Sequence, residues 1–513
     1  MTIDGSILIG ARDVRHEAVF HAVEAASGAA LPQPFAEATE TDVAAACALA
    51  AAASDQFGSL SPADRGAFLD AVASAIEAIG DVLIETAMNE TGLPRPRLEG
   101  ERGRTTGQLR LFAAELRDGG WLDVVIDPAM PDRVPPRADL RRMNVPLGPV
   151  AVFGASNFPL AFSVAGGDTA AAFAAGCPVV VKGHPAHPGT GELVARAVRS
   201  AVQACGLPEG VFSYLPGRAN ALGGALVADP HIRAVGFTGS RSGGLALAEI
   251  ARQRAEPIPV FAEMSSVNPV VLMPFALTTR AEALGAAFVA SLTLGAGQFC
   301  TNPGLVIALD GPDLDRFVAA AASALAAAPP QAMLTPGIRA AYNAGVAALD
   351  GNRAAQRVGP GALFETTAEQ FIADRSLGDE VFGVSSVVVR CADLAQLAQV
   401  LASLEGQLTA TLHLDPDDTP HAAPILALLQ AKAGRVLANG WPTGVEVAHA
   451  MVHGGPYPAT TDGRTTSVGT LAMARFVRPV CFQDIPDALL PPALQAANPW
   501  HIPRRIDGKR ETI

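Results

Sequence analysis

The sequence predicts an α/β fold with two largely parallel sheets and a small arm, and three observations carry that expectation. From Pro149 to Ala262, short apolar runs alternate with Ala-rich helical stretches: VAVF at 150–153, PVVVK at 178–182, VFSYL at 211–215, RAVGF at 233–237 and PVFA at 259–262. Uninterrupted apolar strands joined by helices mark βαβ units, whose sheet is buried on both faces. A second alternation follows Asn268, with VVLM, a helical run at 280–294, GLVIAL, another run at 313–327, SSVVV, TATLHL and GRVLA. Residues 121–144 fit neither pattern: Pro128, Pro131, Pro135 and Pro136 stand among alternating polar residues, which reads as a projecting arm, and the tail after Arg475 is similar in character.

Ahead of the first sheet, residues 39–117 read as helices. Thr39 or Thr41 can cap the Ala-rich run to Phe57, and Ser61-Pro62 with Asp64 gives the next run a cap, a first-turn proline and an early acid before Gly80 ends it. Met143 to Gly167 is uncharged and long enough to suggest a membrane span, but Pro146, Pro149, Asn157 and Pro159 interrupt it, so a buried strand followed by a turn is expected.

A chain of 513 residues exceeds what one core usually organises, and 49% hydrophobic with 17% charged residues is far from the signature of disorder. The net charge of -13, with no basic tract, argues against nucleic acid and anionic membranes as partners. No secretory signal opens the chain, so a cytoplasmic protein is expected, and six scattered cysteines fit reduced thiols rather than disulfides or a zinc cluster. Cys47, Cys177, Cys205, Cys391 and Cys481 sit among small or apolar neighbours and read as packing residues.

Cys300 differs, because LGAGQFCTNPG surrounds it with glycines and polar residues that suit close ligand approach. A thiolate that attacks an aldehyde makes an oxyanion, which needs a donor, and then a thioester, which needs an activated water. Glu263 ends a predicted strand in PVFAEMSSVNP, where a buried carboxylate is costly unless it is used or paired. Asn157 follows the first strand in FGASNFPL, where open α/β sheets place ligand groups. Each has a plainer reading: Cys300 as a packing thiol, Glu263 as a capping or paired acid, Asn157 as a turn former.

The cofactor signals are a strand, a Gly-bracketed turn and a helix in HIRAVGFTGSRSGG, with Gly239 and Ser240 at the turn. Lys182 closes PVVVK and can reach a ribose or phosphate oxygen, or simply solvent. His449 and His453 have the spacing of a metal pair, but Ala450 stands where HExxH needs Glu, and the surrounding prolines and glycines indicate loop, so no metal site is expected. His184 and His187, flanked by prolines, read as turn residues.

Taken in order, SNFP, VVVK, FTGS, AEMSS and GQFCTNPG resemble the aldehyde dehydrogenase superfamily over nearly the whole chain. The resemblance implies that Cys300 is the nucleophile, Glu263 the general base and Asn157 the oxyanion donor. It places Lys182 on the adenine-side ribose, Gly239 and Ser240 at the pyrophosphate, and Glu380 with Phe382, from EVFGV, at the nicotinamide ribose. It also implies a Rossmann-type cofactor domain (1–120 and 145–262), an α/β catalytic domain (263–470), and an oligomerisation arm and tail (121–144 and 471–513) that pair subunits into homodimers or homotetramers.

The departures are informative. EMSSV stands for the usual ELGGK, Val384 for a proline, and Pro185 for the carboxylate often found three residues after the motif lysine. Without that carboxylate, repulsion of a 2'-phosphate is lost, so NADP is expected at least as readily as NAD, with Lys182 and Arg218 supplying positive charge. These variants, with KGHPAHPGT and the ending around MVHGGPYPATTDGRTTSVGT, look like the 2-oxoglutarate semialdehyde (2,5-dioxopentanoate) dehydrogenase subgroup. A broad or fatty aldehyde dehydrogenase, and a cofactor-binding protein with a dead site, are the other readings. Arg104, Gln108 and Leu111 share a helix face in GERGRTTGQLRLF, and the corresponding family helix lines the aldehyde entrance. Arg104 is therefore expected to meet the substrate carboxylate, or else to pair with Glu101; Gln108 and Phe299 are assigned to the same pocket.

Overall fold

The computed structural model describes residues 2–511. Its first sheet has seven strands in the order Val260–Glu263, Ala234–Thr238, Val150–Phe153, Val179–Lys182, Phe212–Leu215, Ile7–Ile9 and Arg12–Val14. The first five run parallel, and the N-terminal pair joins the far edge antiparallel. The register sets Phe153 beside both Lys182 and Phe237, and Thr238 beside Glu263, so the carboxyl ends of four strands form one edge. Valines and alanines fill these strands because helices cover both faces. Phe57, Phe68 and Phe173 meet edge to face in that packing, at centroid distances of 5.2–6.1 Å.

The helical region resolves into Glu40–Gly58, Pro62–Glu77, Asp81–Thr91 and Arg95–Asp118. Thr39, rather than Thr41, caps the first in a reciprocal box with Asp42, and Ser61 caps the second ahead of Pro62. The second sheet orders Gln356–Arg357, Ala362–Thr367, Ser385–Cys391, Leu305–Leu309, Val270–Leu272, Gln407–His413 and Ala433–Ala438, all parallel except the first pair.

A separate five-stranded sheet joins Val477–Gln483, Leu140–Pro146, Val124–Asp127, Arg504–Ile506 and Lys509–Arg510, so the arm segment and the tail meet in one layer. The start of the tail departs from expectation. The turn Thr470–Phe476 packs on the helix Gly167–Ala175, where buried Arg475 donates to Asp168 at 2.9 Å and Ala472, Met473 and Phe476 enter the first core. Two packing thiols are also misplaced by the sequence reading: Cys205, at a helix end, and Cys481, on the arm's outer strand, are exposed. No helix among the described residues is long and apolar enough to cross a membrane.

Candidate active site

The carboxyl edge of the first sheet meets the segments that lead into the second sheet, and Cys300 stands at that junction. Its loop is held by a tight turn in which Gly295, Ala296 and Gly297 all have positive φ, at 59°, 57° and 69°. Gly297 admits no side chain: a Cβ there would lie 2.3 Å from the carbonyl carbon of Gly383. Behind the thiol, buried Asn268 donates from Nδ2 to the carbonyls of Cys300 (2.9 Å) and Asn302 (2.8 Å). Gln407 in turn accepts from the backbone N–H groups of Val267 and Asn268 at 2.9 and 3.1 Å. Ser266, one of the EMSSV departures, sets its hydroxyl 2.9 Å from both Asn268 Oδ1 and Gln407 Oε1, so the altered motif braces the thiol's loop.

Glu263 ends its strand fully buried, and its two oxygens are held from one segment. Oε1 lies 2.9 Å from His453 Nε2, and Oε2 accepts from Ser467 Oγ at 2.8 Å. His453 Nε2 is also 3.3 Å from Cys300 Sγ, and sulfur, imidazole and carboxylate all lie within 4.8 Å of one another. Burial opposes the charge on Glu263, but His453 and Ser467 outweigh it and leave the carboxyl below its ordinary range. Burial and then Glu263 itself hold the Cys300 thiol well above its usual value. Asn157 donates from Nδ2 to the carbonyl of Gln298 at 2.8 Å, which fixes the amide against the Cys300 loop and leaves its second hydrogen for a ligand.

Phe158, Phe162 and Phe299, the last next to the thiol in sequence, pack into an aromatic cluster, with Val445, Val447 and Met451 against it. Arg97 lies between Phe158 and Phe299, its guanidinium 4.5 and 4.7 Å from their ring centres. Arg104 lies 5.0 Å from the Phe162 ring, and its Nε and Nη2 are buried without a partner. The side-chain nitrogen of buried Gln108 is likewise unpartnered, and it reaches towards Gly167 rather than the aromatic cluster. From the second sheet, Arg435 commits both terminal nitrogens to the carbonyls of Gly444 and Pro442.

On the other side of the first sheet's edge, Ser240 caps the helix Arg241–Arg252, its hydroxyl accepting from Gly243 N. The N–H groups of Arg241 and Ser242 are those that helix geometry leaves free. Lys182 is partly buried, donates to the carbonyl of Gly217 at 2.7 Å, and is pushed down to about 8 by burial. Arg218 is exposed and bound to Glu37 at 2.9 Å, the same carboxylate whose field reaches Lys182. Glu380 and Phe382 line a cleft with Ser266, Asn302 and Phe299. Burial pushes Glu380 up to about 7 despite hydrogen bonds from Ser265 and Ser266.

The family model described as "Aldehyde dehydrogenase family" matches residues 15–457. The chain belongs to the aldehyde dehydrogenase family. It is 57% identical over 525 aligned positions to "Alpha-ketoglutaric semialdehyde dehydrogenase 2" of Azospirillum brasilense, covering all of both chains. It is 49% identical to "Alpha-ketoglutaric semialdehyde dehydrogenase" of Acinetobacter baylyi, over 92% of each. Among solved structures, NADP-dependent glyceraldehyde-3-phosphate dehydrogenase from Bacillus halodurans, complexed with NADP, aligns with a TM-score of 0.77 at 21% identity, covering 94% of this chain and 98% of that one.

In this aldehyde dehydrogenase the structure brings Cys300, Glu263, Asn157, Arg104 and Phe299 near one another, and sets Lys182, Gly239 and Ser240 along the neighbouring strand ends. His453 is what the sequence reading missed. The spacing to His449 drew attention to a metal pair, yet His449 is exposed and 3.4 Å from Glu115, while His453 is buried beside the thiol. His187 was likewise more than a turn residue: its Nε2 lies 3.1 Å from the carbonyl of Ala155, two residues before Asn157. Arg97, Asn268, Gln407 and Ser467 carried no sequence signal, because the site partners they reach lie 32 to 204 residues away.

Proposed function

We propose that this enzyme oxidises 2-oxoglutarate semialdehyde to 2-oxoglutarate through a thioester on Cys300. The observation that carries the substrate assignment is Arg104, a half-buried side chain whose Nε and Nη2 are buried without a partner beside Phe158 and Phe162 and whose charge reaches Cys300. A neutral long-chain aldehyde would leave those donors unsatisfied, at a cost of about 1–3 kcal/mol, whereas a carboxylate matches the guanidinium fork. The names of the two closely similar relatives support the same reading.

In the cycle, the thiol proton passes to Glu263 as Sγ attacks the aldehyde carbon, and the oxyanion accepts from Asn157. When bound, NAD(P) supplies the hydride acceptor that turns the tetrahedral centre into a thioester. Once the thiol's proton has passed from Glu263 to solvent water, the carboxylate deprotonates the water that releases the product acid. The residues present fit the cofactor: a helix N-terminus at Ser240 for the pyrophosphate, a cleft bounded by Glu380 and Phe382, and Lys182 at a strand end. NADP is accepted at least as well as NAD in this reading, because Pro185 carries no charge and Glu37 is neutralised by Arg218. The arm sheet, with exposed Leu489 and Ile485 near its outer strand, is assigned to subunit pairing.

A panel of aldehydes followed by NAD(P)H absorbance tests the substrate. The semialdehyde should exceed a neutral aldehyde of similar length by at least tenfold in kcat/KM; the reverse order would favour a broad or fatty aldehyde dehydrogenase.

A further inference from the structure

We propose that His453 is a catalytic residue whose Nε2–H is shared between Glu263 and Cys300, holding the carboxylate at rest and stabilising the thiolate once the thiol has lost its proton. The inference rests on Cys300 being the nucleophile and adds a group that acts on it directly.

The position is built. The ring is fully buried, the His453 backbone N–H donates to Thr466 Oγ1 at 2.7 Å, and Nε2 is within reach of both Glu263 Oε1 (2.9 Å) and Cys300 Sγ (3.3 Å). The tautomer follows from the other nitrogen. Nδ1 is buried without a partner, so a proton there would be an unpaired buried donor and would leave the Nε2 lone pair facing a carboxylate. A ring with one proton therefore carries it on Nε2.

A donor at Nε2 cannot also take the thiol proton, which goes to Glu263. The S–H bond breaks, an O–H bond forms on the carboxylate, and the electron pair stays on sulfur. Negative charge thus moves from Glu263 to Cys300, and the same N–H can follow it without leaving its place. This donor acts against the burial that disfavours the thiolate. The other charged groups facing the site are Arg97 and Arg104 on the helix Arg95–Asp118, Arg435 on the strand Ala433–Ala438, Glu380 before Ser385, and the Asp168–Arg475 pair behind Glu263. Among the described residues, none of these arginines is within hydrogen-bond distance of Sγ, so His453 is the nitrogen donor at the sulfur.

Alkylation of the full-length protein by iodoacetamide across pH, followed by mass spectrometry of the peptide that carries Cys300, tests this without any aldehyde and excludes signal from exposed Cys205 and Cys481. His453→Phe should lower the Cys300 alkylation rate at pH 8 at least tenfold and move the rising limb up by about one pH unit or more, a shift that lost packing alone would not produce. His453→Gln, which keeps an N–H, should recover a third or more of the wild-type rate. A His453→Phe profile that coincides with wild type, in a protein that melts and binds cofactor normally, would overturn the proposal. If that variant does not fold, an unshifted profile in His453→Asn, whose amide stops short of the sulfur, overturns it equally. Failure of the semialdehyde as substrate would leave this readout untouched.

Discussion

Glu101 takes Arg97, not Arg104, as its partner. Its Oε2 lies 3.5 Å from Arg97 Nη2, and its Oε1 accepts from the backbone N–H groups of Leu160 and Ala161, both at 2.9 Å. The nearest acid on the Arg104 helix is therefore occupied, and Arg104 remains over the Phe162 ring with donors to spare. The ion pair with Glu101 that the sequence left open does not form. A cation kept among aromatic rings with no direct ion pair is a site for an anionic ligand.

Arg104→Ala should raise KM for the semialdehyde about 30-fold or more, the size of a lost buried charge pair of about 2 kcal/mol, while a neutral aldehyde of the same length changes less than threefold. Arg104→Lys should recover only part of the loss, since a point charge lacks the fork. Equal losses on both aldehydes would assign Arg104 to structure.

Much of the fold was legible in the chain. VAVF, PVVVK and SSVVV are buried on both faces, so their apolar character marks strands without reference to anything distant. The strand Ala362–Thr367 was not legible, because ALFETT mixes acid and hydroxyls and owes its place to parallel pairing with Ser385–Cys391. The same division holds at the site. Asn157, Glu263 and Cys300 each stand at a strand end or in a glycine-rich turn, where local sequence betrays them. His453 lies in a loop with no periodicity, and only the folding of that loop across Glu263 gives it meaning.

Asn157→Ala should lower kcat about 100-fold, the usual size of one oxyanion donor, with cofactor affinity unchanged. Its Nδ2 is already anchored on Gln298, so the remaining hydrogen is aimed before substrate arrives. A loss under threefold in pre-steady-state acylation would reduce Asn157 to a turn former.

The pH dependence follows from two opposed shifts. The folded Cys300 thiol is held well above its ordinary range, so the neutral form dominates near pH 7 and the thiolate fraction grows about tenfold per pH unit. Glu263 lies below its ordinary value and stays a carboxylate throughout. Alkylation of Cys300 in the cofactor-free enzyme should therefore climb steadily from pH 6 to 9. A plateau beginning at or below pH 7 would contradict the burial argument.

Arg218→Ala should cost more with NADP than with NAD, by about fivefold or more in the ratio of kcat/KM. The substitution frees the Glu37 carboxylate, which then repels a 2'-phosphate near Lys182. An unchanged ratio, or a wild-type preference for NAD of tenfold or more, would remove the cofactor assignment.

The central claim is that Cys300 forms a thioester that Glu263 hydrolyses, and Glu263→Gln separates the two halves. Rapid mixing of that variant with NAD(P) and the semialdehyde should give one burst of reduced cofactor per subunit, followed by slow turnover and an acyl adduct on the peptide carrying Cys300. Steady turnover close to wild type with no burst and no adduct would contradict the account.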